Sequence, residues 1–137
     1  MKILFAGGCA CGAIRYECSS EPIVAVNCHC RDCQRATGTA YASAVFVPGP
    51  ALRLTKGIPK YHTTTADSGN LASRGFCSEC GSPLIAKSSG HPMFIIHAAS
   101  LDDPSRHRPT MDVFVSKAQP WDHMDPSLTK YPQGLGS

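Results

Sequence analysis

The chain has 137 residues, enough for one domain that buries about two thirds of its unfolded surface. Its apolar fraction of 42% is that of a globular protein, and 12 glycines with 11 prolines point to many turns and short elements. The net charge is only +3 and the 13 basic residues are scattered, so there is no basic patch for nucleic acid or an anionic membrane. No apolar run approaches the ~20 residues of a membrane-spanning helix.

In chain order, residues 1–6 carry one lysine and a very short apolar stretch, too little for a secretory signal. The expectation is a cytoplasmic, reduced protein, in which eight cysteines mean metal or catalysis rather than disulfides. No repeat, linker or low-complexity block divides the chain, so a single domain over 1–137 is expected. Residues 13–18 alternate as a half-buried strand does. One or two helical turns start near Cys30, run through Cys33 and Ala36, and end at Gly38. Residues 40–47 read as a longer strand stopped by Pro48-Gly49-Pro50. Leu52 and Leu54, then residues 58–62, read as two strands around a turn at Gly57. Residues 93–98 and 113–115 supply two late strands. The tail from Ser116, with Pro120, Pro126 and Pro132, is expected to be irregular and packed down by Trp121. The sum is a mainly β domain with short helical turns.

The cysteines fall into three groups and one remainder. Cys9 and Cys11 form a C-x-C pair followed by Gly12, and Cys77 and Cys80 a C-x-x-C pair followed by Gly81. Cys28, Cys30 and Cys33 form a C-x-C-x-x-C triple. Zinc takes four ligands in a tetrahedron, and cysteines on a tight turn can both reach one ion, the following glycine permitting the turn's dihedrals. Two such pairs far apart in sequence can clamp one zinc, which assigns Cys9, Cys11, Cys77 and Cys80 to a saturated structural site. Three thiolates in the triple leave a fourth position for water or substrate, as catalytic zinc sites do, unless another protein ligand closes it. Cys18, alone on a strand pattern, reads as a buried small hydrophobe. His29, between two ligands, is expected to point away from the metal, and His97, in an apolar strand, to be a core or supporting histidine.

Taken together, these motifs resemble a known family. Gly8, Cys9, Cys11 and Gly12, Tyr16-Glu17, Cys28-His29-Cys30 with Cys33, and Gly38 match its first half. Arg74-Gly75-Phe76-Cys77 with Cys80-Gly81, Leu101-Asp102-Asp103-Pro104, and Lys117 with Pro120-Trp121 match its second. The sequence is similar, over about 7–131, to the glutathione-dependent formaldehyde-activating enzymes, a family that also contains centromere protein V. The resemblance implies an Mss4-like fold of short antiparallel sheets, zinc-stabilised. It implies a structural zinc on Cys9, Cys11, Cys77 and Cys80 and a catalytic zinc on Cys28, Cys30 and Cys33, two Zn2+ per chain. It also implies carbon–sulfur lyase chemistry: glutathione, or a similar small thiol, adding to formaldehyde or a related aldehyde, and the reverse.

That chemistry needs a proton moved to the new hydroxyl, by water or by Asp103, although Asp102-Asp103-Pro104 is also a turn sequence and favours that reading. Arg31, Arg35 and Arg74 flank the cysteines and are the candidate substrate contacts. They could grip a glutathione carboxylate or balance the negative charge of three thiolates. Trp121 is expected to be a structural plug or an aromatic wall. A zinc domain with no catalytic role, serving as a protein-interaction module, is the alternative.

Overall fold

The computed structural model describes residues 2–135. Residues 1, 136 and 137 of the expected domain lie outside the described residues. In chain order the elements are β1 (Phe5–Gly8), β2 (Arg15–Cys18), β3 (Val24–Cys28), α1 (Arg31–Thr37), β4 (Ala42–Pro48), β5 (Leu52–Lys56), β6 (Lys60–Thr65), β7 (Leu71–Phe76), β8 (Pro83–Ser88), β9 (Met93–His97), β10 (Met111–Val113) and β11 (Thr129–Lys130). Short 3-10 turns occur at Gly49–Ala51, Ala98–Ser100, Pro104–Arg106 and Val115–Lys117. The chain is mainly β, and no helix among the described residues is long and apolar enough to cross a membrane.

The strands form two sheets. One has three antiparallel strands in the order β1-β2-β5, the other eight in the order β11-β10-β3-β4-β9-β8-β7-β6. Within the large sheet β10 runs parallel to both β3 and β11, and the remaining pairs are antiparallel. The two strands expected around Gly57 are both present, yet β5 joins the small sheet and β6 ends the large one. The late strand expected at 113–115 lies two residues earlier, as β10, because Phe114 takes a left-handed conformation with φ 56° and ends it.

Period-two alternation distributes the side chains of the large sheet to two faces. On one, Ala25, Val45, Val47, Ile85 and Ile96 meet Phe5, Tyr16 and Cys18 from the small sheet, with Ile14 just before β2, and form the main core. Burying a side chain of this size contributes about 1.5–3 kcal/mol, so this layer is the largest apolar contribution to the fold. Tyr16 is fully buried, and its hydroxyl is satisfied by Ser100 Oγ at 2.6 Å. Cys18 is fully buried in the same layer, as a small hydrophobe. The opposite face carries a second cluster of Val26, Ala44 and Val113, with Cys28, Phe46 and Ile95 against it.

Helix α1 follows β3 directly, and its limits have local causes. Cys30 is the N-cap, its Sγ accepting from the Cys33 N–H at 3.2 Å. Asp32 in the first turn and Arg35 in the last complement the helix dipole. Gly38, at φ 71°, closes the end by donating to Gln34 O.

The tail differs from expectation. Trp121 is 61% exposed and plugs nothing. What holds the tail down is polar: β11 pairs with β10, and the Asp122 side chain is fully buried against His29.

Candidate metal centres and the adjoining cavity

Cys9, Cys11, Cys77 and Cys80 converge, their ligand atoms all within 4.8 Å of one another. Each pair sits on the same kind of loop. Cys9 N–H donates to Ile14 O and Gly12 N–H to Cys9 O; Cys77 N–H donates to Ser82 O and Gly81 N–H to Cys77 O. Gly12 and Gly81 have φ of 80° and 79°, a region that penalises a Cβ, which is why glycine follows each pair. Backbone amides point at the sulfurs: Ile14 N–H reaches Cys9 Sγ at 3.2 Å and Glu79 N–H reaches Cys77 Sγ at 3.4 Å. Ser82 ties the two loops together, its Oγ accepting from Ala10 N–H and lying 3.2 Å from Cys80 Sγ.

The donor set fits a tetrahedral zinc. Thiolates at the usual Zn–S length of ~2.3 Å stand about 3.8 Å apart along a tetrahedron's edges. The Cys9–Cys11 and Cys11–Cys77 sulfur separations are 3.7 and 3.8 Å. The thiols also compete for negative charge. The Ser82 hydroxyl and the backbone amides of Ser82 and Cys11 hold Cys80 down at about 5. Cys11, despite its hydrogen bond to the Ala13 backbone, is pushed up to about 11 by Cys9 and its other neighbours. A divalent cation relieves that repulsion and lets all four ionise.

The second cluster is Cys28, Cys30 and Cys33, again with all sulfurs within 4.8 Å. Cys28 ends β3, Cys30 caps α1 and Cys33 is in its first turn, so a strand end and a helix start deliver the three ligands. No further His, Cys, Asp or Glu of the described residues joins them. The Cys28 and Cys33 thiols, the Cys33 amide and the charge of Arg74 hold Cys30 far below its ordinary value. Cys28 is forced up by Cys30 and Cys33. Three such thiols fit a soft or borderline divalent metal such as zinc, with one position unfilled by protein.

His29 points away from the sulfurs, as expected for a residue between two ligands. It is fully buried, with Nδ1 2.5 Å from Asp122 Oδ2 and Nε2 2.7 Å from Asp112 Oδ1. Lys130 Nζ donates to the other Asp112 oxygen at 2.7 Å. Tyr41 packs on the ring at 4.9 Å between centroids. Each ring nitrogen thus lies within hydrogen-bond reach of a carboxylate oxygen, which fixes the ring at both ends. Gln34, also buried, donates to the His29 and Lys117 carbonyls. The loop bearing Cys28 and Cys30 is thus fastened to β10 and to the tail.

Beside this cluster a cavity of about 290 Å³ opens between α1 and the face of the large sheet carrying β6, β7 and β9. Asp32 and Arg35 of α1, His62 and Thr64 of β6, Arg74 of β7 and His97 of β9 contribute to its wall. Its size is near the lower bound of ~300–1,000 Å³ for small-molecule pockets. Arg74 connects cavity and cysteines, its Nη2 3.9 Å from Cys33 Sγ and its cross-strand partners His62 and Ala86. Burial alone would lower the Arg74 pKa, but Cys33 and Cys30 hold it up, so the cation is firmly kept.

Of the three candidate arginines, the structure brings Arg35 and Arg74 to the cavity. Arg31 is not in its wall and donates to Gln34 Oε1. Asp103 caps a 3-10 turn by accepting from Ser105, and Asp102 pairs with Arg15; neither lines the cavity. His62, Thr64 and the acidic partners of His29 were not singled out from the sequence. Alternation beyond residue 62 would have placed His62 and Thr64 on one face, and an aspartate inside Met111-Asp112-Val113 is itself a signal of a buried partner.

The family model for glutathione-dependent formaldehyde-activating enzyme matches residues 4–117, and the chain belongs to that family. By overall structure it is similar to a crystallised Rhodobacter sphaeroides protein, with a TM-score of 0.57 and 19% sequence identity over 92% of this chain and 98% of that one. No curated protein matches it by sequence.

Proposed function

We propose that this single-domain, cytoplasmic chain catalyses the reversible addition of a small thiol, glutathione or similar, to formaldehyde or a related aldehyde, as a zinc-dependent carbon–sulfur lyase. The observation that carries the reading is a cluster of three cysteines, with no fourth protein ligand among the described residues, next to a small cavity whose wall includes Arg35 and Arg74. Cys9, Cys11, Cys77 and Cys80 would hold a structural zinc, and Cys28, Cys30 and Cys33 a second one. When bound there, that zinc supplies Lewis acidity to a substrate thiolate or aldehyde oxygen.

The chain's own residues would do the rest. Arg74 and Arg35 offer guanidinium groups to a substrate carboxylate, and Arg74 also offsets the negative charge of the thiolates. The cavity volume limits the ligand to a small molecule and holds two reactants together, which converts a bimolecular addition into an intramolecular one. The same site, working in reverse, releases the aldehyde.

Cys30→Ser tests the reading, because serine is itself a good N-cap and keeps α1 capped. The variant is expected to retain a folded spectrum and one zinc, to lose the second zinc, and to drop to the protein-free rate of thiol–formaldehyde exchange, followed by exchange NMR. A wild-type protein with two zincs and no exchange above that rate would instead make the domain an interaction module.

A further inference from the structure

His62 and His97 are the titratable wall residues of the cavity whose side chains have no hydrogen-bond or ion-pair partner among the described residues, and of the two His62 is exposed while His97 is half-buried. His97 ends β9 with its side chain on the same face as Ile95, opposite to Phe94 and Ile96, which enter the main core. Its carbonyl is used by Ser100 Oγ at 2.7 Å, whereas its ring nitrogens are engaged by no other described residue. The contrast with His29, both of whose nitrogens are occupied, is complete.

The groups that face His97 are few. Across the cavity stand Arg74 of β7, His62 of β6, and Asp32 and Arg35 of α1, with the Cys28, Cys30 and Cys33 thiols beyond Arg74. Of its neighbours in the sheet, β4 offers no titratable side chain, and the Lys87 ammonium of β8 lies over the Tyr61 ring on the opposite face. Resting on the function proposed above, we infer that His97 is the proton-transfer residue of the addition. It takes the substrate thiol's proton and returns it to the oxygen that the aldehyde carbonyl becomes.

The step balances without any co-reactant. The thiol S–H bond breaks toward the imidazole, and the sulfur lone pair forms the new C–S bond. The C=O π pair moves onto oxygen, which takes the proton back from the imidazolium. In the reverse direction the same ring removes the hydroxyl proton and delivers it to the leaving sulfur. Burial first, and the charge of Arg74 second, lower the His97 pKa to about 4, so the free protein holds a neutral ring able to accept. An anionic substrate paired with Arg74 would offset that repulsion and raise the basicity of the ring during turnover.

The test uses zinc-loaded protein and His97→Gln, which keeps a polar side chain of similar reach and cannot carry the proton. Exchange is expected to fall by about 10²–10⁴-fold with the zinc content unchanged, and added imidazole should restore part of it. Independently, histidine-labelled wild-type protein should show by NMR a His97 imidazole that stays neutral well below pH 6. Its resonances should shift when S-methylglutathione, an unreactive thioether, is added, and the same signal should be missing from His97→Gln. A variant as fast as wild type, or a His97 resonance indifferent to S-methylglutathione, overturns the assignment. If wild type itself does not exceed the protein-free rate, the function and the assignment fall together; a fast wild type with an equally fast variant removes only the assignment.

Discussion

Cys77→Ser is expected to leave the chain largely unfolded at neutral pH, with far-UV circular dichroism and amide NMR dispersion close to those in urea. Cys77 is 1% exposed and belongs to the main core as well as to the four-cysteine cluster. Around this cluster residue 9 is joined to residue 77, and the small sheet to the end of β7. Structural zinc held by four such ligands contributes on the order of 10–16 kcal/mol of apparent binding energy. The whole stability of a domain is about 5–15 kcal/mol. Losing one of four ligands weakens that binding severely and also leaves a hydroxyl buried in apolar surroundings. Chelation of wild type should reproduce the loss, and readdition of zinc should reverse it. Acidification should do the same, because the ligands must be thiolates: the contribution is complete at neutral pH and disappears as protons displace the metal. A Cys77→Ser protein that melts where wild type does would remove the structural role from this cluster. The comparison with Cys30→Ser is informative, since both variants delete one sulfur and only the first is expected to cost the fold.

The two cysteine clusters that could hold metal were legible in the sequence because they are delivered by local turns. Cys9 to Gly12 and Cys77 to Gly81 each need two sulfurs on one loop and a glycine at positive φ, and that requirement is written in adjacent residues. Helix α1 was legible for the same reason, since its cap, its dipole-compatible charges and its left-handed stop all lie between Cys30 and Gly38. What could not be read was partnership at long range. Nothing local tells β5 to pair with β2 while β6, a few residues on, pairs with β7. The sequence Leu-Ala-Ser-Arg-Gly-Phe of β7 lacks the alternation that marks a strand, yet it supplies Arg74. Trp121 misled because a large aromatic after a proline suggests burial, whereas the neighbouring Asp122 is the residue that goes inside. His97 was readable as a buried strand residue but not as a cavity residue, since its exposure to the cavity depends on α1 and β6 closing over it.

The second large effect should come from Asp112→Ala. Asp112 is 1% exposed and is hydrogen-bonded to both His29 and Lys130, so it holds together a cluster in which two carboxyl groups face an imidazole ring and an ammonium. Removing Asp112 leaves one nitrogen of the fully buried His29 ring without a partner, the other facing Asp122 alone, and frees Lys130 from its carboxylate partner. Breaking a buried pair from one side costs about 3–5 kcal/mol, because the remaining charge keeps its desolvation penalty and loses its compensation. With a urea dependence of about 1–3 kcal/mol per molar, the unfolding midpoint should fall by roughly 2 M. Lys130→Met should cost less, because that side chain is 33% exposed and water can replace its contacts. The damage should also reach the three-cysteine cluster, since His29 lies between Cys28 and Cys30 and its anchoring orients both. Zinc bound by Asp112→Ala is therefore expected to drop toward one per chain even in buffer where the protein remains folded. Retention of two zincs together with a wild-type midpoint would mean that the backbone hydrogen bonds of β3 and β10 alone hold the loop, and that the charge cluster is dispensable.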